Sequence, residues 1–215
     1  MYKKLSLIFS SILISSFAFS QISYGIKAGV TESFLQDKIG STNQNYNLRT
    51  GYQAGLFAEI SLSRNLSVRP ALQITQKGFK KVEGTPGSAF YWKRNFLTNY
   101  LELPLDAVYN FHLNQEAKIQ IGTGPVFGIG LFGKNKTTIT SIDSAQQTHT
   151  EYMVGNDAFD KRFDFGWDFL ISYQCHRTSI SANYNCGLMN LLNDGNHTAK
   201  NRSFALTLGY LLKNK

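Results

Sequence analysis

Eight ionisable residues recur within segments whose apolar and polar residues alternate: Lys27, Glu59, Arg69, Glu102, Asp106, Lys118, Asp164 and Asp168. Two chemistries are open to such a set. Carboxylates on one strand face, as Glu102 and Asp106 would be, could act as a general acid and base. Alternatively, acids and bases could pair across a narrow interior, where an unpartnered charge carries a heavy desolvation penalty. The balance of three bases and five acids favours pairing, with Glu59 opposite Arg69 as the clearest couple and Arg69, Lys27 or Lys118 as the bases for Glu102 and Asp106. The expected role of all eight is a luminal polar network, not catalysis.

Other chemistry is less well supported. Gly122-Thr123-Gly124 with Gly128 and Gly130 lacks G-x-G-x-x-G spacing, and no helical pattern follows it. His149 and His197, with Ser141, Ser144 and Ser203, fall in or beside long connections, where a lipid-modifying enzyme at a barrel rim would hold its His and Ser. Nucleophilic catalysis also needs a third group to orient the base, and no spacing supplies one. His112 and His176 fall in short turns, away from such a site. Two cysteines are too few for a disulfide scaffold or a four-ligand zinc site. Cys175 and Cys186 share the apolar phase, with Cys186 opposite Trp167, so both are expected as free thiols. No cofactor and no metal are implied.

The elements that must position these residues show a period of two. Ile22, Tyr24, Ile26, Ala28 and Val30 alternate with Ser23, Gly25, Lys27 and Gly29, and Tyr52 to Leu62 behaves alike. So do 66–75, 101–111, 117–131, 163–175, 178–188 and 203–212, which makes eight strands. Their connections are long and short in turn. Residues 32–50, 76–99, 132–161 and 189–202 read as long, polar and irregular; 63–65, 112–116 and 176–177 are short. Eight strands with all long connections at one end describe an antiparallel up-and-down barrel of the kind that crosses an outer membrane.

Register supports the pattern. With Cys175 opposite Thr178, Tyr173 faces Ile180, Ile171 faces Ala182, Phe169 faces Tyr184 and Trp167 faces Cys186. Across 63–65, Ile60 faces Val68 and Leu56 faces Leu72. A slip of one residue would break every pair. The polar face is rich in glycine and carries charges of both signs, as the cramped interior of an eight-stranded barrel requires. The apolar face is then the outside. Tyr24, Tyr109, Phe111, Tyr173 and Tyr210 cluster near the short-turn end of that face, as an interfacial girdle would.

The first twenty residues read as a secretory signal peptide. Lys3 and Lys4 precede a run from Leu5 to Phe19, and Ala18-Phe19-Ser20 offers a cleavage site before Gln21. The serines within the run make it too weak for a membrane-spanning helix of about 20 apolar residues. The expected organisation is a signal peptide over 1–20 and one barrel domain over 21–215.

Gly25-Ile26-Lys27-Ala28-Gly29-Val30, Tyr100-Leu101-Glu102-Leu103-Pro104-Leu105, Gly124-Pro125-Val126-Phe127-Gly128 and Tyr184-Asn185-Cys186-Gly187-Leu188-Met189-Asn190 resemble strands of the PorT-like outer-membrane β-barrel proteins. The resemblance covers nearly all of 21–215. Thr31 stands where asparagine is common in that family. The resemblance implies a bacterial outer-membrane barrel with periplasmic termini and extracellular long loops; the name-giving member is tied to a secretion and gliding system.

Composition fits this setting. The chain has 215 residues, is 42% apolar and 13% aromatic, and is only 17% charged. Such a chain is neither disordered nor a helical bundle. Its formal net charge is +8. Lys77, Lys80, Lys81, Lys93, Arg94, Lys134 and Lys136 contribute to a basic excess in the long connections. The expected partners are outer-membrane lipids, with lipopolysaccharide phosphates facing those basic loop ends, and an envelope protein. Nucleic acid is not expected, because an exported chain does not meet it. The expected function is a structural, surface-exposed or envelope- and secretion-assembly barrel without catalysis. Loop-mediated binding of a ligand or protein is the alternative, and lipid modification the third.

Overall fold

The computed structural model describes residues 22–39, 42–44, 46–84, 90–141, 144–154, 162–191 and 197–213. The signal-peptide expectation for 1–20 lies outside the described residues. The strands are β1 (Ile22–Ile39), β2 (Thr42–Gln44), β3 (Arg49–Ser61), β4 (Leu66–Glu83), β5 (Phe90–His112), β6 (Ala117–Ser141), β7 (Ser144–Val154), β8 (Phe163–Cys175), β9 (Thr178–Gly187) and β10 (His197–Lys213). Eight of them close a ring in the order β1, β3, β4, β5, β6, β8, β9, β10, and β10 pairs back onto β1. All pairings are antiparallel. Closure removes the exposed edges that no sheet can present to lipid. Among the described residues no helix is long and apolar enough to cross a membrane.

The side-chain registers follow the alternation. Cys175 faces Thr178, Tyr173 faces Ile180, Phe169 faces Tyr184 and Trp167 faces Cys186. Ile60 faces Val68 and Leu56 faces Leu72. The backbones come very close at two glycines. A Cβ on Gly29 would lie 2.0 Å from the Leu206 carbonyl oxygen, and one on Gly124 would lie 2.0 Å from that of Leu105. Glycine is the residue that permits such an approach.

The outward face is apolar through a continuous belt. Ile26, Val30, Leu56, Leu72, Leu103, Ile121, Phe169, Leu206 and Leu208 are all exposed. An uninterrupted apolar surface of this extent calls for a hydrocarbon solvent. Tyr24, Tyr109, Phe111, Tyr173 and Tyr210 ring the short-turn end of the belt, all exposed. Tyr52, Phe132 and Phe163 mark its other edge, where Tyr52 Oη donates to Asn99 Oδ1 at 3.0 Å and Asn99 pairs with Phe132. On β5 the two rings of aromatics are separated by the length of a tilted spanning strand, about 9–11 residues.

The long connections differ from expectation. Residues 76–99 and 132–161 are not irregular: β4 continues to Glu83, β5 starts at Phe90, β6 runs to Ser141, and β7 folds back onto it. Residues 32–50 are likewise mostly strand, in β1 and the added β2. The barrel wall therefore projects beyond the apolar belt. Outside that belt the outward face meets water, so its residues need not be apolar and the expected alternation disappears from the outer phase. It reappears on the inside, where Leu35, Phe79, Phe96, Leu191 and Ala199 form a buried cluster.

Candidate functional site

The inner row of β4 climbs through the lumen as Ser67, Arg69, Ala71, Gln73, Thr75, Lys77 and Phe79, and it meets each layer in turn. Nearest the short turns, Arg69 Nη2 lies 2.7 Å from Glu59 Oε2, and Lys118 Nζ lies 2.5 Å from Glu59 Oε1. Gln120 Nε2 donates to both Glu59 oxygens, at 3.2 and 3.1 Å, and to Asn110 Oδ1 at 2.7 Å. Arg69 also donates to Gln120. The Arg69 guanidinium rests over the Phe57 ring, 5.5 Å from its centroid. Phe57, Ala71 and Leu211 pack together beside this ion-pair cluster.

The middle layer holds Lys27, Asp106 and Asp168. Asn183 Nδ2 donates to Asp168 Oδ2 at 2.6 Å. Asp106 stands opposite Arg69 in register. Asp106 Oδ1 is buried with no hydrogen-bond partner among the described residues. Lys27 is flanked by two cavities of about 20 Å³ each, one reaching Asp168 and the other Asp106. Each has room for little more than a water molecule.

The third layer centres on an ion pair whose base comes from beyond the expected end of β4. Lys77 Nζ lies 2.6 Å from Glu102 Oε1, with side-chain exposures of only 2% and 3%. Lys77 also donates to Asn185 Oδ1 at 3.3 Å and sits over the Tyr100 ring. Gln73 and Thr75 donate to Glu102 Oε2 at 2.9 and 2.6 Å. Asn201 Nδ2 donates to Asp164 Oδ2 at 2.8 Å. Glu102 thus takes Lys77, not Arg69, Lys27 or Lys118. The expectation of Lys77 as a surface loop base is corrected: it points inward, because β4 continues straight past the expected strand end. Its parity with Arg69, Gln73 and Thr75 was the available signal.

Above this layer the interior turns apolar. The Phe79 and Phe96 rings stack with centroids 5.1 Å apart, and Tyr46 packs edge-on against Phe79 at 4.7 Å. Leu191 is fully buried among them, its N–H donating to the Ala199 carbonyl at 2.9 Å. Tyr46 Oη donates to Asp37 Oδ2 at 2.9 Å. Burial, together with that bond, pushes the Tyr46 phenol well above its ordinary value. Lys81 and Arg94, also expected on the surface, point inward and cover the Tyr46 and Phe79 rings.

The remaining candidates do not assemble. Gly122-Thr123-Gly124 lies in the middle of β6 with no helix after it. His149 Nε2 meets Glu151 Oε1 at 3.2 Å on an exposed face, and His176 Nε2 meets Glu116 Oε2 at 3.1 Å at the other end of the barrel. The side chains of Ser141, Ser144 and His197 lie outside the described set. Cys175 and Cys186 are free. Among the described residues no group of three His, Cys, Asp or Glu side chains could hold a metal ion.

The sequence matches a family model described as an outer membrane protein beta-barrel domain over residues 15–193. The chain belongs to this family of outer-membrane β-barrels. Membership locates it in a bacterial outer membrane and accounts for the apolar belt. Comparison with curated proteins gives no match. Solved barrels similar to it include Ail, the attachment invasion locus protein of Yersinia pestis. That protein is 13% identical with a TM-score of 0.42, over 89% of this chain and 99% of Ail. Neisserial surface protein A is 11% identical with a TM-score of 0.44, over 88% and 98%. OprG of Pseudomonas aeruginosa is 10% identical with a TM-score of 0.40, over 91% and 98%. In this outer-membrane barrel the luminal charges are the candidate site, and their geometry is that of a filled interior.

Proposed function

We propose that this chain is a closed, non-conducting outer-membrane barrel whose role is structural, surface-exposed or linked to envelope and secretion assembly, without catalysis. Its termini lie in the periplasm and the extended strands project from the cell. The finer resemblance to PorT-like barrels, carried by the Tyr100 to Leu105 strand, favours an assembly role. The observation that carries the reading is the stacking of Glu59–Arg69–Lys118, Lys27–Asp106–Asp168 and Lys77–Glu102 beneath the Phe79–Phe96–Leu191 cluster. A solute would have to displace buried ion pairs and then cross a packed apolar layer. Eight strands leave an interior that side chains fill. Carboxylates held in pairs with Lys and Arg are spent on structure and are poorly placed for acid–base work.

The test is electrical. The purified protein in planar bilayers should show no steady conductance. Steady, large openings would overturn the closed lumen. A second reading, binding through the outer end, draws support from the projecting strands of β4 to β7, which offer a rigid wall outside the membrane in place of loose loops.

A further inference from the structure

Beyond the apolar belt, the outward wall of β4 to β7 carries lysines and no acid among the described residues. Cross-strand partners share a face, so one row reads Lys80, Asn95, Lys136, Thr150 across β4, β5, β6 and β7. The next row reads Val82, Lys93, Thr138, Thr148, and the row on the membrane side Gly78, Leu97, Lys134, Tyr152. These rows bring four lysines together and hold no Asp or Glu. The carboxylates of the described part of this stretch, Glu83 and Glu151, belong to the opposite face, where Glu83 takes Lys81 and Glu151 takes His149 and Asn135. Among the described residues no ion pair engages Lys80, Lys93, Lys134 or Lys136 within 4 Å. Lys134 instead lies 5.0 Å from the centroid of the exposed Tyr152 ring.

Within this face Tyr91, Lys93, Asn95, Lys136 and Thr138 line a recess of about 340 Å³. The volume is in the range of small-ligand sites. Asn95 buries a carbonyl oxygen with no hydrogen-bond partner among the described residues. A bare phosphate is chiefly an acceptor and leaves that oxygen unmet. A sugar brings hydroxyl donors for it, after a small turn of the amide, and an apolar face for the Tyr91 ring. Two free ammonium groups require an anionic substituent on the same ligand.

We propose that this recess and its four lysines form a binding site for a phosphorylated saccharide, the headgroup of a glycolipid in the outer leaflet. The face continues the lipid-facing wall, whose rows pass from Leu103 and Leu101 through Asn99 to Leu97 and Asn95, so it looks sideways at neighbouring lipids. The site rests on the proposed orientation, in which these strands stand outside the cell.

The experiment uses the whole barrel reconstituted in phosphatidylcholine nanodiscs, with rough lipopolysaccharide as the probe. Lys93→Gln/Lys136→Gln should weaken binding by roughly 10-fold or more, since each lysine near an anionic surface contributes several-fold. Lys213→Gln, at the other end of the barrel, should bind as wild type does. Dephosphorylated lipopolysaccharide should bind wild type no better than the double variant binds the intact form. Soluble dextran sulfate that competes fully would place the recognition in the anionic sugar alone, and failure to compete would place it in the lipid-anchored headgroup. Equal binding by wild type and the double variant would overturn the site, and so would a lysine-dependent preference for polyglutamate over lipopolysaccharide. Protease treatment of intact cells keeps the two readings apart. Cleavage within 85–89 or 155–161 upholds the orientation whatever the binding result, whereas cleavage only at 63–65 or 176–177 would overturn orientation and site together.

Discussion

The barrel is two tubes end to end, built on the same strands with opposite rules. Through the membrane belt, β4 and β5 put Arg69, Gln73, Lys77, Glu102 and Asp106 inside and Leu72, Ile74, Leu103 and Tyr109 outside. One turn of the pleat further, the same strands put Phe79 and Phe96 inside and Lys80 and Lys93 outside. Alternation persists, but its polarity reverses where the outer solvent changes from hydrocarbon to water. Below the change, polar groups are hidden from lipid and must satisfy one another. Above it the ordinary hydrophobic effect returns and the interior holds an apolar cluster, with Lys81 and Arg94 lying over its rings. The lesson is that a β-barrel's inside is whatever its outside is not.

Substitutions at matched positions test that reversal. The largest effect is expected in the polar tube: Glu102→Ala should destabilise the barrel by about 3–5 kcal/mol, because Lys77 is left charged and buried. Chemical unfolding in liposomes measures it, and a loss under 1 kcal/mol would mean that water reaches Lys77. In the apolar tube, Phe96→Ala should also cost about 3–5 kcal/mol, as for a packed core aromatic. If it were neutral, the outer tube would have no true core.

Outward substitutions should diverge between the two tubes. Leu208→Lys on the belt should cost about 2–4 kcal/mol and impair insertion, read as loss of the heat-modifiable gel form. Val82→Lys on the outer wall makes a comparable change and should stay within about 0.5 kcal/mol of wild type. Equal penalties would erase the boundary between the tubes. One further change, of opposite sign, belongs to neither tube. His176, in the two-residue turn before Thr178, holds a φ of 53°. His176→Gly should be neutral or stabilising by up to about 1 kcal/mol, since glycine takes that conformation without strain.

Strand identity, ring closure and register were legible in the residues themselves. The period-two pattern is local, and a shift of one residue would turn every side chain to the wrong solvent, so Tyr173 could only face Ile180 and Leu56 only Leu72. Parity along a strand also fixes the side on which a charge lies, and Glu59, Arg69, Glu102, Asp106, Asp164 and Asp168 are buried. What parity could not say is who pairs with whom. Lys77 meets Glu102 and Asn185 across sequence separations that depend on how far each strand is staggered around the ring. Nor could it show that 76–99 and 132–161 are walls, since a strand in water needs no apolar outer face to betray it. Only the closed barrel brings Phe79, Phe96, Leu191 and Ala199 together and lines four lysines on one outward face, because both arrangements are made by strands distant in the chain and adjacent only in the ring.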